Sequence, residues 1–165
     1  MAVVASSSRD RVDAMTIDTL TPVCLDPATV LVCLASDART TKMVLDLRQY
    51  TVSILGGDQA GVARRFAAPG AGRFPDEGLV VCADGQVLVA AAVAALRCRV
   101  VRRLEVGDHV VAFGEVTGAH VRGGPQLIHC EGALSHLVVG QAPHDTRRAA
   151  TSSASGNRAG AESPC

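Results

Sequence analysis

Short Val-rich runs recur along the chain and limit its fold more than any other feature: "AVVAS" at 2 to 6, "TVLVCLA" at 29 to 35, "YTVSIL" at 50 to 55 and "HVVAFGEV" at 109 to 116. β-Branched residues at this density, in short runs separated by turn-forming Gly, Pro and Asp, specify strands. The segment "LRCRVV" at 96 to 101 alternates apolar and basic residues, so Leu96, Cys98 and Val100 are expected to face inward and Arg97 and Arg99 to meet solvent. Upstream, "VLVAAAVAALR" has alanines that favour helix, but the preceding Asp84-Gly85 turn favours a hairpin, and the segment is read as strand. Two helices are expected to interrupt the strands, one over 40 to 48 ("TTKMVLDLR") and one over 57 to 67 ("GDQAGVARRFA"), where Val62 and Phe66 share a face. Both are expected to pack over a barrel mouth or sheet edge. The fold class is mainly β with a few helices.

A chain of 165 residues with 48% hydrophobic content is sized for one well-buried domain. That domain is expected over residues 1 to 140. From Gln141 the sequence "APHDTRRAATSSASGNRAGAESPC" loses apolar periodicity, and 141 to 165 is read as a disordered low-complexity tail. Sixteen basic residues balance sixteen acidic ones, which removes the electrostatic case for nucleic acid or an anionic membrane surface and leaves small molecules or proteins as partners. No apolar run has the length of a membrane span, and "MAVVASSSRD" lacks the basic start and apolar stretch of a signal peptide, so the chain is read as cytoplasmic. The six cysteines form no C-x-x-C pair and read as scattered buried thiols rather than a disulfide frame or a zinc site, and no metal is expected. His120, His129, His136 and His144 lack ligand-like spacing and are read as structural or surface residues.

The stretch "MTIDTLTPVCLDPATVLVCL" at 15 to 34 joins a run of hydroxyls, interrupted by Asp18, to a Pro-bounded turn and an apolar strand. With "YTVSIL" followed by "DQAGVARRFA", "GRF" at 72 to 74, "GDHVVAFGEV" at 107 to 116 and "LIHCEGALSHLV" at 127 to 138, it stands in an order that resembles the flavin reductase-like FMN-binding split barrels. That family includes the small reductase components of two-component flavin monooxygenases. The resemblance covers residues 2 to 138. It implies an antiparallel split β-barrel, paired as a homodimer, that binds FMN and passes a hydride to it from NADH or NADPH as co-substrate, supplying reduced flavin to a partner monooxygenase. The helix that normally precedes the first strand in this family is not found ahead of residue 2.

Carried over by position, Thr16, Asp18, Thr19 and Leu20 would line the flavin, with Val23 and Cys24 near it. Arg39 and Thr40 would lie near the phosphate, Arg65 and Phe66 would close the site, and His109 would stand where the reductant or ring edge approaches. Without the resemblance, His109 reads as a turn residue, Arg64 and Arg65 as a solvated helix face, and Cys24 and Cys33 as buried packing thiols. The departures fall at the cofactor positions: Asp18, Pro22, Cys24 and Ala38 replace hydroxyl or amide residues, and Leu20 replaces an aromatic. An ionised carboxylate about 4 Å from the FMN phosphate would cost about 4 kcal/mol at an effective dielectric of about 20. That is on the order of a thousandfold in affinity. Strand alternation sets Thr16 and Asp18 on one face and Ile17 and Thr19 on the other, so Asp18 faces either the phosphate or the ribityl chain and ring, or it is a surface acid. An alternative follows from these departures: a flavin-free barrel acting as a cyclase or isomerase on an apolar intermediate of secondary metabolism, with Asp18 and His109 as acid and base.

Overall fold

The computed structural model describes residues 1 to 8, 11 to 68 and 78 to 136, and these form eleven strands and two helices. In chain order they are β1 (Ala2–Ser8), β2 (Arg11–Ile17), β3 (Thr21–Leu25), β4 (Ala28–Ala35), α1 (Arg39–Leu47), β5 (Gln49–Ile54), α2 (Ala60–Ala67), β6 (Leu79–Val81), β7 (Val87–Val89), β8 (Ala94–Val106), β9 (His109–Val121), β10 (Leu127–Cys130) and β11 (Ala133–His136). Seven of them make one antiparallel sheet in the order β2-β1-β5-β8-β9-β4-β3, and β6-β7 and β10-β11 are separate hairpins.

The two edges of the large sheet, β2 and β3, are consecutive in sequence and joined only by Asp18, Thr19 and Leu20. Four residue steps span at most about 14 Å, so the sheet has to roll up to bring its edges that close. The interior shows this closure. Ile17 from one edge, Val30, Val32 and Leu34 from β4, and Val52, Cys98, Val100 and Ala112 from the middle strands meet in one buried cluster, against which Leu20 packs. The result is a split barrel whose seam is crossed by the β2–β3 link.

Alternation along β1 and β2 feeds two cores. Ala2, Val4 and Ile17 point to the barrel interior, while Val3, Ala5 and Ala14 point outward to a second cluster with Ala63, Phe66, Leu55 and Leu127. Each helix serves one core: α1 contributes Val44 to the interior and α2 contributes Ala63 and Phe66 to the outer cluster. The helices therefore lie on opposite faces of the β1–β2 region, a separation that matters for the site.

One glycine is dictated by the interior. A Cβ at Gly114 would lie 2.6 Å from Tyr50 Cζ, in contact with the Tyr50 hydroxyl, and 2.9 Å from Cys98 Cβ. Only glycine leaves room for the Tyr50 ring between β5, β8 and β9. Tyr50 is 1% exposed, and its hydroxyl has no partner within hydrogen-bonding geometry.

The "VLVAAAVAALR" reading needs correction. Only Val87–Val89 and the residues from Ala94 onward are strand; between them the chain turns, with Ala91 in the left-handed region at φ 55°. The β6–β7 hairpin is held to β5 by Thr51 Oγ1, which donates to the Val87 carbonyl at 2.6 Å, and by Ser53 Oγ, which accepts from the Val89 N–H at 2.9 Å. Small buried hydroxyls thus break the run by giving its first half a separate docking place. The buried-thiol reading also fails in part: Cys24 and Cys130 are exposed and Cys33 is half-buried, because β3 and the β10–β11 hairpin have no further layer over them. The segment "GRF" and the tail from 141 lie outside the described residues.

Candidate functional site

β2 carries the site from its outward-facing side. Thr16 Oγ1 donates a 2.7 Å hydrogen bond to the Ala63 carbonyl, tying the strand to α2. Beyond that tie the surface opens into a cavity of about 520 Å³ lined by Met1, Thr16, Asp18, Arg64, His129 and Leu134, with Ile17, Ala63, Ala67, Gly132 and Ala133 completing its wall. The far wall is the β10–β11 hairpin. It is held by the Met1 amino group, which donates to the Leu127 carbonyl at 2.6 Å, and by Leu127 itself, buried in the outer core. Burial lowers the pKa of that amine, and the Asp18 charge opposes the shift.

Across the cavity, Asp18 Oδ2 lies 3.7 Å from His129 Nδ1. The Asp18 side chain is 61% exposed and the imidazole 41%, so the pair is solvated and its Coulomb energy is small. The pair sets the polarity of the mouth, with a carboxylate on the β2 side, an imidazole on the hairpin side and the exposed Arg64 guanidinium on α2. Ile17, Ala63, Ala67 and Leu134 supply the apolar part. An apolar pocket of this size with a few convergent polar groups is the usual form of a cofactor or small-molecule site.

The structure divides the remaining expected residues among several places. Thr19 is a fastener: its Oγ1 donates to the Cys33 carbonyl and accepts from the Cys33 N–H, both at 3.1 Å, which fixes the β2–β3 link on β4. Leu20 packs into the interior core and Phe66, 3% exposed, into the outer one. Val23 and Cys24 lie on the exposed edge strand β3, where the Cys24 thiol donates to the Pro27 carbonyl at 3.1 Å. Arg39 stands at the start of α1 with Nη2 3.5 Å from Oδ1 of the buried Asp13, and Thr40 is buried beside it. Asp13 faces the α1 side of β2 and Thr16 the α2 side, so the sheet separates Arg39 and Thr40 from the cavity. Arg65 is exposed on α2.

His109 begins β9 opposite Ala35, its Nδ1 2.7 Å from Asp108 Oδ1. That hydrogen bond is the main reason the Asp108 carboxyl titrates below its ordinary range. Asp18 and His109 therefore do not form one acid–base pair: the imidazole that faces Asp18 is His129, a residue the spacing argument set aside. No local pattern marked it, since its approach to Asp18 depends on where the β10–β11 hairpin returns in the fold. A flavin-free pocket would be plugged by Leu20, Pro22 and Asp18. Instead, Leu20 turns into the core, Pro22 is exposed on β3, and Asp18 lines an open cavity.

The profile of the flavin reductase like domain matches residues 1 to 137. The chain belongs to this family. The reductase component of a 4-nitrophenol 4-monooxygenase/4-nitrocatechol 2-monooxygenase from Rhodococcus opacus is 40% identical to it over 123 residues, covering 74% of this chain and 66% of that protein. The NADH-dependent FMN reductase AsuE2 of Streptomyces nodosus subsp. asukaensis is 34% identical over 143 residues, 83% of this chain and 77% of the relative. Among solved structures, the Streptomyces globisporus NADH:FAD oxidoreductase SgcE6, in complex with NAD and FAD fragments, superposes with a TM-score of 0.77 at 30% identity, covering 83% of this chain and 84% of that one. This flavin reductase-like chain is an oxidoreductase on a split-barrel fold. None of its described helices is long and apolar enough to cross a membrane.

Proposed function

We propose that this chain is an NADH-dependent flavin reductase that takes FMN into the cavity between β2, α2 and the β10–β11 hairpin and supplies reduced flavin to a partner monooxygenase in the cytoplasm. The observation that carries the reading is the open cavity of about 520 Å³ on the Thr16–Asp18 face, in a chain of this family. The lining fits a flavin. Ile17, Ala63 and Leu134 offer apolar surface to the ring, Asp18 offers acceptors to ribityl hydroxyls, and Arg64 and His129 offer donors to an anionic group. The flavin, when bound, supplies the redox chemistry by accepting a hydride from the nicotinamide.

The protein's part is to orient and to exclude water. Thr16 holds α2 against β2 so that Ala63 and Arg64 stay at the cavity wall, and Met1 and Leu127 hold the hairpin that carries His129. Asp18 and His129 face each other across the mouth, 3.7 Å apart, so the carboxylate has a polar partner there. His109 stands on a different surface, at the β8–β9 turn, and its place at the approach of the co-substrate rests on the family resemblance.

A homodimer is part of this reading. Val23 and Leu25 on the edge strand β3 are exposed, Leu25 at 92%, and an apolar strand edge of this kind is a surface that a second copy covers.

The test is steady-state NADH oxidation by the purified protein with FMN as acceptor. Flavin-dependent turnover is expected, lowered about tenfold or more in His109→Ala. No NADH consumption at any flavin concentration would overturn the reading, and an unchanged rate in His109→Ala would remove that residue from it.

A further inference from the structure

The arginines of β8 fall into two groups. Arg97 Nε lies 3.7 Å from Asp84 and Arg99 Nη2 lies 2.7 Å from Glu115, so the first half of the strand carries matched charge. Arg102 and Arg103, in the exposed second half, make no ion pair with any described residue. They line a groove of about 420 Å³ together with Leu45, Arg48, Val100 and Val101, and no carboxylate is among the lining residues. Arg48 is likewise without an ion pair among the described residues.

The groove is fixed by the backbone. The Val100 N–H donates to the Arg48 carbonyl at 2.9 Å, which clamps the end of α1 to β8 where the β8–β9 register shifts between Val100 and Arg102. Arg48 itself caps α1 in the left-handed region at φ 53°. Three guanidiniums are thereby brought to one concavity in a chain whose overall charge is zero. Like charges so placed repel one another unless an anion joins them. Guanidinium forks match phosphate oxygens in bidentate geometry, and several of them suit a polyphosphate better than a single carboxylate. The volume lies in the range of small-ligand sites, and Leu45, Val100 and Val101 give the groove an apolar floor for an organic body attached to the phosphate.

We propose that the groove between the end of α1 and the outer half of β8 binds a phosphorylated small molecule, with Arg48, Arg102 and Arg103 holding the phosphates. It is a different place from the cavity beside Asp18: the two share no lining residue. The proposal stands independently of the reductase reading.

Calorimetric titration of the full-length protein with pyrophosphate, ADP and adenosine tests it, at fixed ionic strength and with chloride as the control anion. Saturable binding of pyrophosphate and ADP is expected, with none for adenosine. Tighter binding of ADP assigns the apolar floor to a nucleoside; equal affinities assign the site to the oxyanion alone. The double variant Arg102→Gln/Arg103→Gln is expected to weaken pyrophosphate by about a hundredfold, roughly tenfold for each charge-assisted hydrogen-bonding group removed. Arg48→Asn, which tolerates the left-handed backbone, is expected to weaken it by about tenfold. Arg99→Gln, which removes a charge from the same strand outside the groove, is expected to leave binding unchanged. The proposal is overturned by absence of saturable pyrophosphate binding, by equal displacement with chloride, by a double variant that is folded in its thermal melt yet binds as wild type, or by a polyglutamate peptide that outcompetes pyrophosphate, which would assign the groove to an acidic protein.

Discussion

Tyr50 and Cys98 are titratable side chains buried in the hydrophobic core of the barrel, and they have no role in the proposed chemistry. Burial pushes the Cys98 thiol up to about 12, with the neighbouring Tyr50 hydroxyl opposing, and it pushes the Tyr50 phenol up further still. Both groups are neutral when folded and ionise more readily when unfolded. Their contribution to stability is therefore fully present below the unfolded Cys value near 9 and is lost as pH rises from there toward about 12. Thermal melts across this range are expected to show a decline of a few kcal/mol, with a shallower slope in Cys98→Ala; a variant slope as steep as wild type would show that the thiol is not involved. At this scale the sequence was informative where a local rule applied. Alternation set Thr16 and Asp18 on one face and Cys98 inward, and the structure has them so. His129 was not legible, because its meeting with Asp18 depends on β10 returning to β2 across most of the chain.

Strands and helices followed their local patterns closely: α1 and α2 lie within the expected segments, give or take a residue at the start of α1, and β9 begins at His109. What local pattern did not contain is the face on which each helix lands. Residues matched by position to one phosphate-binding end, Arg39 and Thr40, are separated from Thr16 by the sheet, since α1 and α2 serve different cores. The placement of α2 depends in part on Thr16. Replacing Thr16 with Val removes the hydrogen bond to the Ala63 carbonyl, at a cost of about 0.5–1.5 kcal/mol. A lower melting temperature together with a raised KM for flavin is expected, as α2 loosens at the cavity wall. A stability loss with KM unchanged would separate α2 from the site.

Closure of the whole molecule follows from topology, because the two sheet edges are neighbours in sequence and a three-residue link cannot span an open seven-stranded sheet. Exposed Val23 and Leu25 mark an edge of the sheet that a single barrel does not cover. Sedimentation velocity is expected to show a dimer for the wild type and a monomer for Leu25→Asp; a wild-type monomer at micromolar concentration would contradict the homodimer. The central claim is that the cavity bounded by Thr16, Asp18, Arg64 and His129 holds the flavin. Fluorescence titration with FMN, for the wild type and for His129→Ala with Arg64→Ala, tests it most directly. The account predicts saturable micromolar binding to the wild type, weakened by about tenfold or more in the double variant. Absence of flavin binding, or equal affinity in the two proteins, would contradict it.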